Sequence, residues 1–430
     1  MARSQMFASI DIGTCKITTV IAAVTEETKK LQVMGVANEP SRGLRKSQVV
    51  DIEEAVEAVT RSVEAAERMA GFSISSAFVS ISGSHIQSQN SKGVVAVSNP
   101  NEEIIQEDVV RVIEAARAIS LPSSREILHV IPRDFVVDSQ EGIKDPLSMT
   151  GVRLEVEAHI VTGSTTAMRN LAKCVTEIGI DVAGLVFSGL AASEAVLTET
   201  EKELGVCLVD IGGGTTSLAV FVEGSLAYSA VLPVGAKNIT NDLAIGLRLS
   251  LDTAEKIKIG LSKHSKEELL TERSKKGESG DELDLSKLGV DEELKKTSYK
   301  TLTEGIIRPR LNEIFMLVGE ELQKSGYAAA TPAGIVVCGG GAETVGVVDA
   351  CKRTLSLPVR LGTVQGLSGL VEEIQEPNFA VAQGLMLYAV KNSSGESSKV
   401  SLPNWGKFVS NLPVKGLANK AINFVKSFLP

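Results

Sequence analysis

Two segments of the chain place an acid, glycines and threonines in the same order. The first contains Asp11, Gly13, Thr14 and Lys16, and the second contains Asp210, Gly212, Gly213, Gly214, Thr215 and Thr216. A bound nucleotide presents clustered negative oxygens. Its site therefore needs backbone N–H groups that approach closely, small hydroxyl side chains and an acid that holds Mg²⁺ through water. Both segments supply these groups, and they predict phosphate binding with Mg²⁺ held through water at Asp11 and Asp210.

A third glycine run has a different context. Gly339, Gly340 and Gly341, followed by Ala342, come after a strand-like run and before a helical pattern. Unpaired amides and missing side chains at such a position suit the sugar or base of a nucleotide. One glycine loop after a strand is usually only a turn, so the prediction rests on the three loops together.

The elements that must position these loops are visible as a repeat. The segments FASIDIGTCKITTVIAAV, at 7–24, and VCLVDIGGGTTSLAVFVEG, at 206–224, each show an apolar strand, a glycine turn and a second alternating strand. The chain therefore contains one β-hairpin twice, about half its length apart. This repeat predicts two duplicated α/β domains that face each other.

Other elements follow from periodicity. Helical spacing of apolar residues is clear at 51–70, 165–178 and 306–322. The segment AGIVVCGGGAETVGVVDACKRTL predicts a buried strand, a turn and a helix. Residues 85–162 carry two amphipathic strand patterns and the helical segment EDVVRVIEAARAI. They predict a compact insertion between strands of the first domain.

The three glycine loops, in this order, resemble the first phosphate loop, second phosphate loop and adenosine loop of the actin/Hsp70/sugar-kinase ATPase superfamily. The resemblance implies an actin-like ATPase fold of class α/β. It implies two duplicated RNase H-like domains with ATP and Mg²⁺ in the cleft between them. The segment PNFAVAQGLMLYA, at 377–389, resembles the closing interdomain helix of that fold, with Ala380 and Gly384 as the small residues that allow close packing.

The same resemblance implies a role for one further helix. AEKIKIGLS, at 254–262, is similar to the superfamily helix that places an acid and a base at the adenosine, and here these are Glu255 and Lys258. Their i, i+3 spacing puts both on one helix face. An exposed ion pair with no ligand is the alternative interpretation of this spacing.

One position departs from the superfamily. Members that hydrolyse ATP rapidly carry Gln, Glu or Asp near the start of the first interdomain helix, where VFSGLAASEAVL offers Ser188. A hydroxyl is a poor substitute for an amide or a carboxylate in orienting water. Glu194 lies on the same helix, but nothing in the sequence directs it to that place. We therefore expect ATP binding with at most slow hydrolysis, and no catalytic residue is assigned.

The insertion narrows the resemblance to one family. HVIPRDFVVD and GIKDPLSMTGVRLEVEAHIVTG, within 83–163, closely resemble the specific insert of the FtsA family of bacterial cell-division proteins. That resemblance implies an ATP-binding protein on the cytoplasmic face of the plasma membrane at the division site. It implies self-association into short filaments, to which the insert contributes. It also implies tethering of the tubulin-like FtsZ to the membrane and recruitment of later division proteins.

The resemblance divides the chain into subdomains. The predicted parts are a first actin-like subdomain (1–84 and 163–195), the FtsA-type insert (85–162), a second actin-like subdomain (196–245 and 333–390) and its helical lobe (246–332). In the family this lobe receives the C-terminal peptide of FtsZ. Arg308 and Arg310, in EGIIRPRLNEIF, suit an acidic peptide because guanidinium groups pair with carboxylates bidentately. Two ordinary solvated arginines are the alternative.

Charge is distributed unevenly along the chain. The formal net charge of the 430 residues is −9, yet residues 391–430 contain six Lys and one acid. The acidic body is expected to repel nucleic acid, and only the end of the chain would attract an anionic surface. In 262–300, 19 of 39 residues are charged. That density is typical of a solvated loop or a mobile extension.

Other chemistries and locations find no support in the sequence. The five cysteines form no CxxC pair, which is typical of reduced packing residues in a cytoplasmic protein. Zinc-ligand spacing is missing among His85, His129, His159 and His264. Neither a GxSxG elbow nor a Walker A lysine motif occurs. No apolar run reaches the roughly 18 residues of a membrane span, and no signal peptide is present, so we expect neither export nor a span.

The last residues of the chain separate by polarity. A Ser-rich linker (391–403) leads into the tail (404–430), where Lys420 and Lys426 lie opposite an apolar arc at 100° per residue. The residues expected to contact lipid are Trp405, Phe408, Leu417, Ile422, Phe424, Val425, Phe428 and Leu429. Linker, lysines and tryptophan together predict an amphipathic helix that binds anionic inner-membrane lipid. A helix docked on the body's own core is the alternative.

Two other functions stay open at this stage. A small-molecule kinase of the same superfamily would need an Asp base facing a substrate pocket in the first domain, and we find no convincing candidate. An actin-like scaffold of a pilus or secretion machine would share the fold of the insert and the cleft. Neither requires its own lipid anchor, so the tail favours the cell-division interpretation.

Overall fold

A computed structural model describes residues 5–24, 31–98, 103–270, 281–288, 290, 296–364, 368–369 and 374–393. In chain order the strands are β1 (Gln5–Ile12), β2 (Lys16–Val24), β3 (Leu31–Pro40), β4 (Leu44–Arg45), β5 (Gln48–Val49), β6 (Ser76–Ile81), β7 (Gln87–Ala96), β8 (Arg125–Val137), β9 (Gln140–Ile143), β10 (Arg153–Ser164), β11 (Asp181–Phe187), β12 (Val206–Ile211), β13 (Thr216–Val222), β14 (Ser225–Leu232), β15 (Glu282–Asp284), β16 (Lys296–Ser298), β17 (Ile335–Cys338), β18 (Val359–Leu361) and β19 (Ser368–Gly369).

The α-helices are α1 (Ile52–Ala70), α2 (Gln106–Arg117), α3 (Thr165–Thr176), α4 (Ser188–Val196), α5 (Glu199–Leu204), α6 (Ala236–Leu247), α7 (Leu251–Lys263), α8 (Lys266–Leu269), α9 (Arg308–Lys324), α10 (Val347–Leu355) and α11 (Ala380–Ser393). The predicted helices at 51–70, 165–178 and 306–322 are confirmed as α1, α3 and α9. None of the helices that the structure describes combines the length and apolar content needed to cross a bilayer.

The two central sheets have the same topology. In the first, β1 pairs antiparallel with β2, β2 pairs antiparallel with β3, and β6 and β11 follow on the other side of β1 in parallel. In the second, β12, β13 and β14 make the same antiparallel meander, and β17 and β18 lie parallel beside β12. The repeated hairpins therefore begin two RNase H-like α/β domains, and the predicted duplication is confirmed.

The insertion folds as a separate antiparallel sheet with the order β7-β10-β8-β9. Helix α2 covers one face of it and buries Val112, Ile113 and Ala116 against Leu154 and Val156. The sequence predicted two strand patterns here, and the sheet has four strands. The prediction was incomplete because β8 and β9 form a hairpin whose polar residues interrupt the alternation.

The helical lobe of the second domain corrects one expectation. Helices α6, α7 and α9 share an apolar core that also takes in part of the charged segment 262–300. Leu269, Leu283, Leu285 and Val290 of that segment are buried in this core, and β15 pairs with β16. The expectation of a solvated loop is therefore wrong at these residues, because isolated leucines anchor the segment despite its charge.

Helices α4 and α11 lie between the domains and cross in close contact. A Cβ atom on Gly384 would overlap with the carbonyl oxygen of Ala191, so only glycine permits this approach. Ala380 is fully buried on the same helix. The prediction that Ala380 and Gly384 allow close packing of a closing interdomain helix is confirmed. Residues 394–403 of the predicted linker and the whole tail 404–430 lie outside the described residues.

Candidate functional site

A cavity of about 510 Å³ opens between the two domains, a volume typical of small-molecule sites. The predicted residues that line it are Asp11, Gly13, Thr14, Lys16, Ser188, Asp210, Gly212, Gly213, Thr215, Glu255, Lys258, Gly339, Gly340 and Gly341. The ends of β1 and β12, the start of α4 and one face of α7 therefore converge on one cleft. The roles of these residues stay predictions at this point.

Asp11 ends β1 and is supported by a serine that the sequence analysis did not select. Ser80 donates a hydrogen bond to Asp11 Oδ1 at 2.6 Å, and its oxygen accepts one from the Ile12 amide at 3.1 Å. Burial raises the pKa of Asp11, while the Ser80 hydrogen bond and the charge of Lys16 oppose that rise. Ser80 and Lys16 of the first domain therefore partly offset the effect of burial on the pKa of Asp11.

Asp210 lies near the end of β12, and its carboxylate has fewer stabilising contacts than that of Asp11. It is 7% exposed, and burial together with the charge of Asp11 raises its pKa to about 7. Within the described part of the chain, no protein hydrogen bond to its carboxylate is found. Half-buried Asp11 and buried Asp210 repel each other when both are charged, and such a pair favours a cation between the two carboxylates.

These acids fit Mg²⁺ better than a metal held by protein alone. Among the described residues, no group of three His, Cys, Asp or Glu side chains comes together as a metal-ligand set. Mg²⁺ usually keeps several waters and is bound by one or two carboxylates plus phosphate oxygens. Asp11 and Asp210 supply that number of carboxylates beside two glycine loops.

Lys16 links the first phosphate loop to the start of α11. Its Nζ donates to Asn378 Oδ1 at 2.7 Å and lies 4.2 Å from the centre of the Phe379 ring. Burial lowers the pKa of Lys16, and the charge of Asp11 is the strongest opposing effect. Asn378 was not among the predicted residues, because a single Asn before a helix carries no spacing signal.

The two phosphate loops touch across the cleft. A Cβ on Gly213 would overlap with Cys15 Sγ, and a Cβ on Gly214 would lie 2.8 Å from Thr14 Oγ1. The tip of the β4–β5 hairpin joins them, because the Ser47 amide donates to Thr14 Oγ1 at 2.9 Å and Ser47 Oγ lies 3.0 Å from Thr215 Oγ1. Glycine is therefore needed in the second loop to admit the first.

Helix α7 carries the acid and the base that were predicted to lie at the adenosine. Lys258 Nζ donates to Glu255 Oε2 at 2.8 Å, and Thr240 Oγ1 lies within hydrogen-bond distance of both side chains. The ion pair of the alternative interpretation does form, but it borders the cavity and Lys258 is buried. Spacing alone could not show that this helix face turns toward the cleft.

Four predicted cleft residues do not line the cavity. Thr216 is buried and donates to the Val234 carbonyl at 2.9 Å, because alternate residues of a strand face opposite sides. Gly214 packs against the first loop, and Ala342 is buried behind Gly341. Glu194 points away from the cleft to Lys391, at 3.3 Å, and to Lys202, at 3.8 Å. Glu194 therefore does not face the cleft, and it stays without an assigned role.

The two predicted peptide-binding arginines differ from each other. Arg310 is held by Asp242 at 2.6 and 2.9 Å and also pairs with Glu313. Its guanidinium is already occupied bidentately, which corrects the expectation that it is available to a partner. Among the described residues, the ion pair found for Arg308 is a 3.8 Å contact with Glu304, and 36% of the Arg308 side chain is exposed.

Comparison with known proteins agrees with this architecture. Residues 83–162 match the model of the SHS2 domain inserted in FtsA, and residues 207–384 match the model of the cell division protein FtsA. The cell division protein FtsA of Pseudomonas aeruginosa is 39% identical over 411 residues, which cover 95% of this chain and 95% of that protein.

The chain belongs to the FtsA family of cell-division proteins. Family members from Bacillus subtilis and Escherichia coli are 38% identical over 401 residues and 35% identical over 428 residues. They cover 93% and 95% of this chain, and the matches extend over 87% and 96% of those proteins. Family membership favours the cell-division interpretation over the kinase and the pilus or secretion scaffold.

Solved structures show the same fold at low identity. The PilM-PilN type IV pilus biogenesis complex contains a chain with a TM-score of 0.61 and 17% identity, covering 89% of this chain and 98% of that one. MreB 5 of Spiroplasma citri bound to AMPPNP has a TM-score of 0.52 and 16% identity. The match covers 91% of this chain and 98% of that one. The actin-like ATPase fold with an FtsA-type insert is thus confirmed, and the chain is an actin-like cell-division protein.

Proposed function

We propose that this FtsA-family protein binds ATP with Mg²⁺ in the interdomain cleft and acts there as a switch. The single observation that carries the proposal is a pair of acids, half-buried Asp11 and buried Asp210, that face one cavity between two glycine loops. Mg²⁺ would supply positive charge between these acids and the phosphates. The structural relative bound to AMPPNP supports a nucleotide in this kind of cleft.

The cleft holds little that would accelerate hydrolysis. The side chain at the start of α4 is the hydroxyl of Ser188, whose Oγ lies 3.0 Å from Ser217 Oγ. A serine neither accepts a proton at neutral pH nor orients water as an amide does. We infer a protein that holds ATP and turns it over slowly at most.

The same proposal gives the protein its cellular task. Loaded with ATP, it self-associates into filaments on the cytoplasmic face of the plasma membrane at the division site. Its tail binds inner-membrane lipid, its lobe binds the C-terminal peptide of FtsZ, and the filament recruits later division proteins. Many weak tails on one filament bind a membrane firmly through avidity.

Vesicle co-sedimentation tests the tether. Full-length protein should carry FtsZ to anionic vesicles in the presence of ATP, and a Phe424→Glu/Val425→Glu variant should leave both proteins in solution. Because Trp405 is the only tryptophan, its emission should shift to the blue when anionic vesicles are added. An unshifted emission, with FtsZ still sedimenting, would contradict the lipid-binding tail.

The peptide site has its own test in helix α9. Arg308 at its start is partly exposed, so Arg308→Glu should weaken binding of the FtsZ C-terminal peptide about tenfold by replacing attraction with repulsion. Lys324→Glu reverses a charge at the other end of the same helix and is the matched control. Equal affinity of the two variants would remove Arg308 from the site.

A further inference from the structure

Three serine hydroxyls meet below the cavity. Ser217 Oγ, on β13, lies 3.0 Å from Ser82 Oγ and 3.0 Å from Ser188 Oγ. Ser82 follows β6 of the first domain, Ser217 belongs to the second domain, and Ser188 begins the interdomain helix α4. These residues, called here the floor triad, join both domains and the helix between them at one point.

A second hydroxyl contact joins the domains beside the cavity. Ser47 Oγ lies 3.0 Å from Thr215 Oγ1, two residues before Ser217 on the same hairpin. Both contacts connect a first-domain loop to the β12–β13 hairpin, and both are between neutral groups. These two hydrogen bonds therefore join the domains at two places beside the cavity, and neither of them is an ion pair.

The members of the floor triad differ in what they face. Ser82 and Ser188 line the cavity, whereas Ser217 does not line it and is only 1% exposed. A ligand in the cavity can contact the first two hydroxyls but is separated from the third. Any influence of Ser217 on a ligand must therefore pass through Ser82 and Ser188.

The geometry points to Ser217 as a positioning residue that holds the two domains in register and orients the Ser82 and Ser188 hydroxyls for a nucleoside triphosphate with Mg²⁺. This inference rests on the proposed function. It adds that the cleft is organised before the nucleotide enters. Binding then costs less side-chain conformational entropy.

The proton count of the triad supports such a role. Each hydroxyl has one proton and can also accept, so three hydroxyls carry three protons. Two of these suffice for the contacts Ser82–Ser217 and Ser217–Ser188. When Ser217 donates to one neighbour and accepts from the other, the remaining proton lies on Ser82 or on Ser188, where it can be donated to an oxygen of a bound phosphate.

Calorimetric titration with MgATP tests the inference on four variants of the full chain. Ser217→Ala removes both contacts and should weaken ATP affinity about 5- to 30-fold. Ser82→Ala removes one contact and should have a smaller effect. Because these two residues share a bond, the double variant should lose less affinity than the product of the two single effects.

Ser193→Ala is the matched control. Ser193 is fully buried on helix α4, and its hydroxyl makes a local hydrogen bond to the Leu190 carbonyl at 2.7 Å. It should bind ATP within about twofold of the wild type, which shows that loss of a buried hydroxyl alone has no such effect. Thermal unfolding of every variant establishes that each is folded, and half-buried Ser82 offers a substitution that the fold tolerates.

The outcomes separate this inference from the proposed function. Normal ATP binding by the wild type and unchanged binding by Ser217→Ala overturn the inference alone. An effect of the double variant equal to the product of the single effects also overturns it, since the residues then act independently. A wild-type protein that binds neither ATP nor ADP overturns the proposed function and this inference with it.

Discussion

The two domains have one strand order but treat their acids differently. Asp11 accepts a hydrogen bond from Ser80 and lies close to the charge of Lys16. Asp210 occupies the equivalent strand end, yet burial and its neighbour Asp11 raise its pKa to about 7. Duplicated topology therefore supplies equivalent positions, and single neighbouring residues decide how stable a charge is at each.

The glycines of the two loops differ in the same way. A Cβ on Gly13 would lie 2.9 Å from the Lys16 carbonyl oxygen within its own turn. A Cβ on Gly213 would overlap with Cys15 of the opposite domain. The first glycine serves the local turn, whereas the second permits the domains to approach each other.

The largest expected effect concerns Asp210. Asp210→Asn removes a charge that Mg²⁺ requires and should weaken MgATP binding about 100-fold, measured by calorimetry. Without nucleotide, the same variant should unfold at a higher temperature at pH 8, because an uncompensated buried charge is lost. Asp11→Asn removes a charge that Ser80 and Lys16 already support, so it should gain no such stability. Equal thermal shifts for both variants would erase the difference between the two acids.

A smaller effect is expected at Gly213. Gly213→Ala pushes Cys15 away and should weaken ATP binding about tenfold, because the loops can no longer meet. Cys15→Ala should restore most of this affinity in the double variant. Gly13→Ala serves as the comparison, since its clash is with backbone and Cys15→Ala cannot relieve it. Rescue of both glycine variants, or of neither, would contradict the interdomain role of Gly213.

The contribution of histidines to the pH dependence of folding stability should also differ between the first and the second domain. His129, in the insert of the first domain, accepts from the Phe187 amide at 3.0 Å, and burial lowers its pKa from 6.5 to about 4. Its contribution to stability is complete above pH 6.5 and is lost as pH falls toward 4. Between pH 7.5 and 5.5 the loss is about 1.4 kcal/mol.

Denaturant unfolding at these two pH values measures that loss. His129→Gln keeps an acceptor without a titrating ring and should make stability less dependent on pH by about this amount. The exposed His264, in the second domain, is the control position, and His264→Gln should retain the wild-type dependence. The same pH slope in both variants would rule out His129 as the acid-sensitive group.

The smallest expected effect is at Ser80. Ser80→Ala keeps the Asp11 carboxyl group but removes its 2.6 Å hydrogen bond, and it should weaken MgATP binding about 2- to 5-fold. In an Asp11→Asn background the same change should have little further effect, because the supported charge is already gone. Independent effects in that cycle would mean that Ser80 does not act through Asp11.

The sequence alone was enough to predict those site residues that follow from a local sequence pattern. Each hairpin ends an apolar strand at an acid before glycine, so Asp11 and Asp210 could be found directly. Strand alternation would also have separated Thr215 from Thr216. Glu194 is six residues beyond Ser188, about 240° around the helix, so its opposite direction was already implied.

Other features depend on packing between distant segments. Ser47 and Asn378 reach the cleft from a short hairpin and from a helix start, and neither has a repeated spacing that marks it. The burial of Leu283 and Leu285 was hidden by the charges around them. The occupied state of Arg310 depends on Asp242, which lies on a different helix.

The crossing of α4 and α11 limits how the halves can move. Because the Gly384 backbone lies directly against the Ala191 carbonyl, sliding along either helix would bring backbone into backbone. The two domains can still rotate relative to each other about that contact, which then acts as a pivot. A small angular change at the nucleotide would then become a displacement that grows with distance from the pivot, and the outer parts of the molecule would move the most.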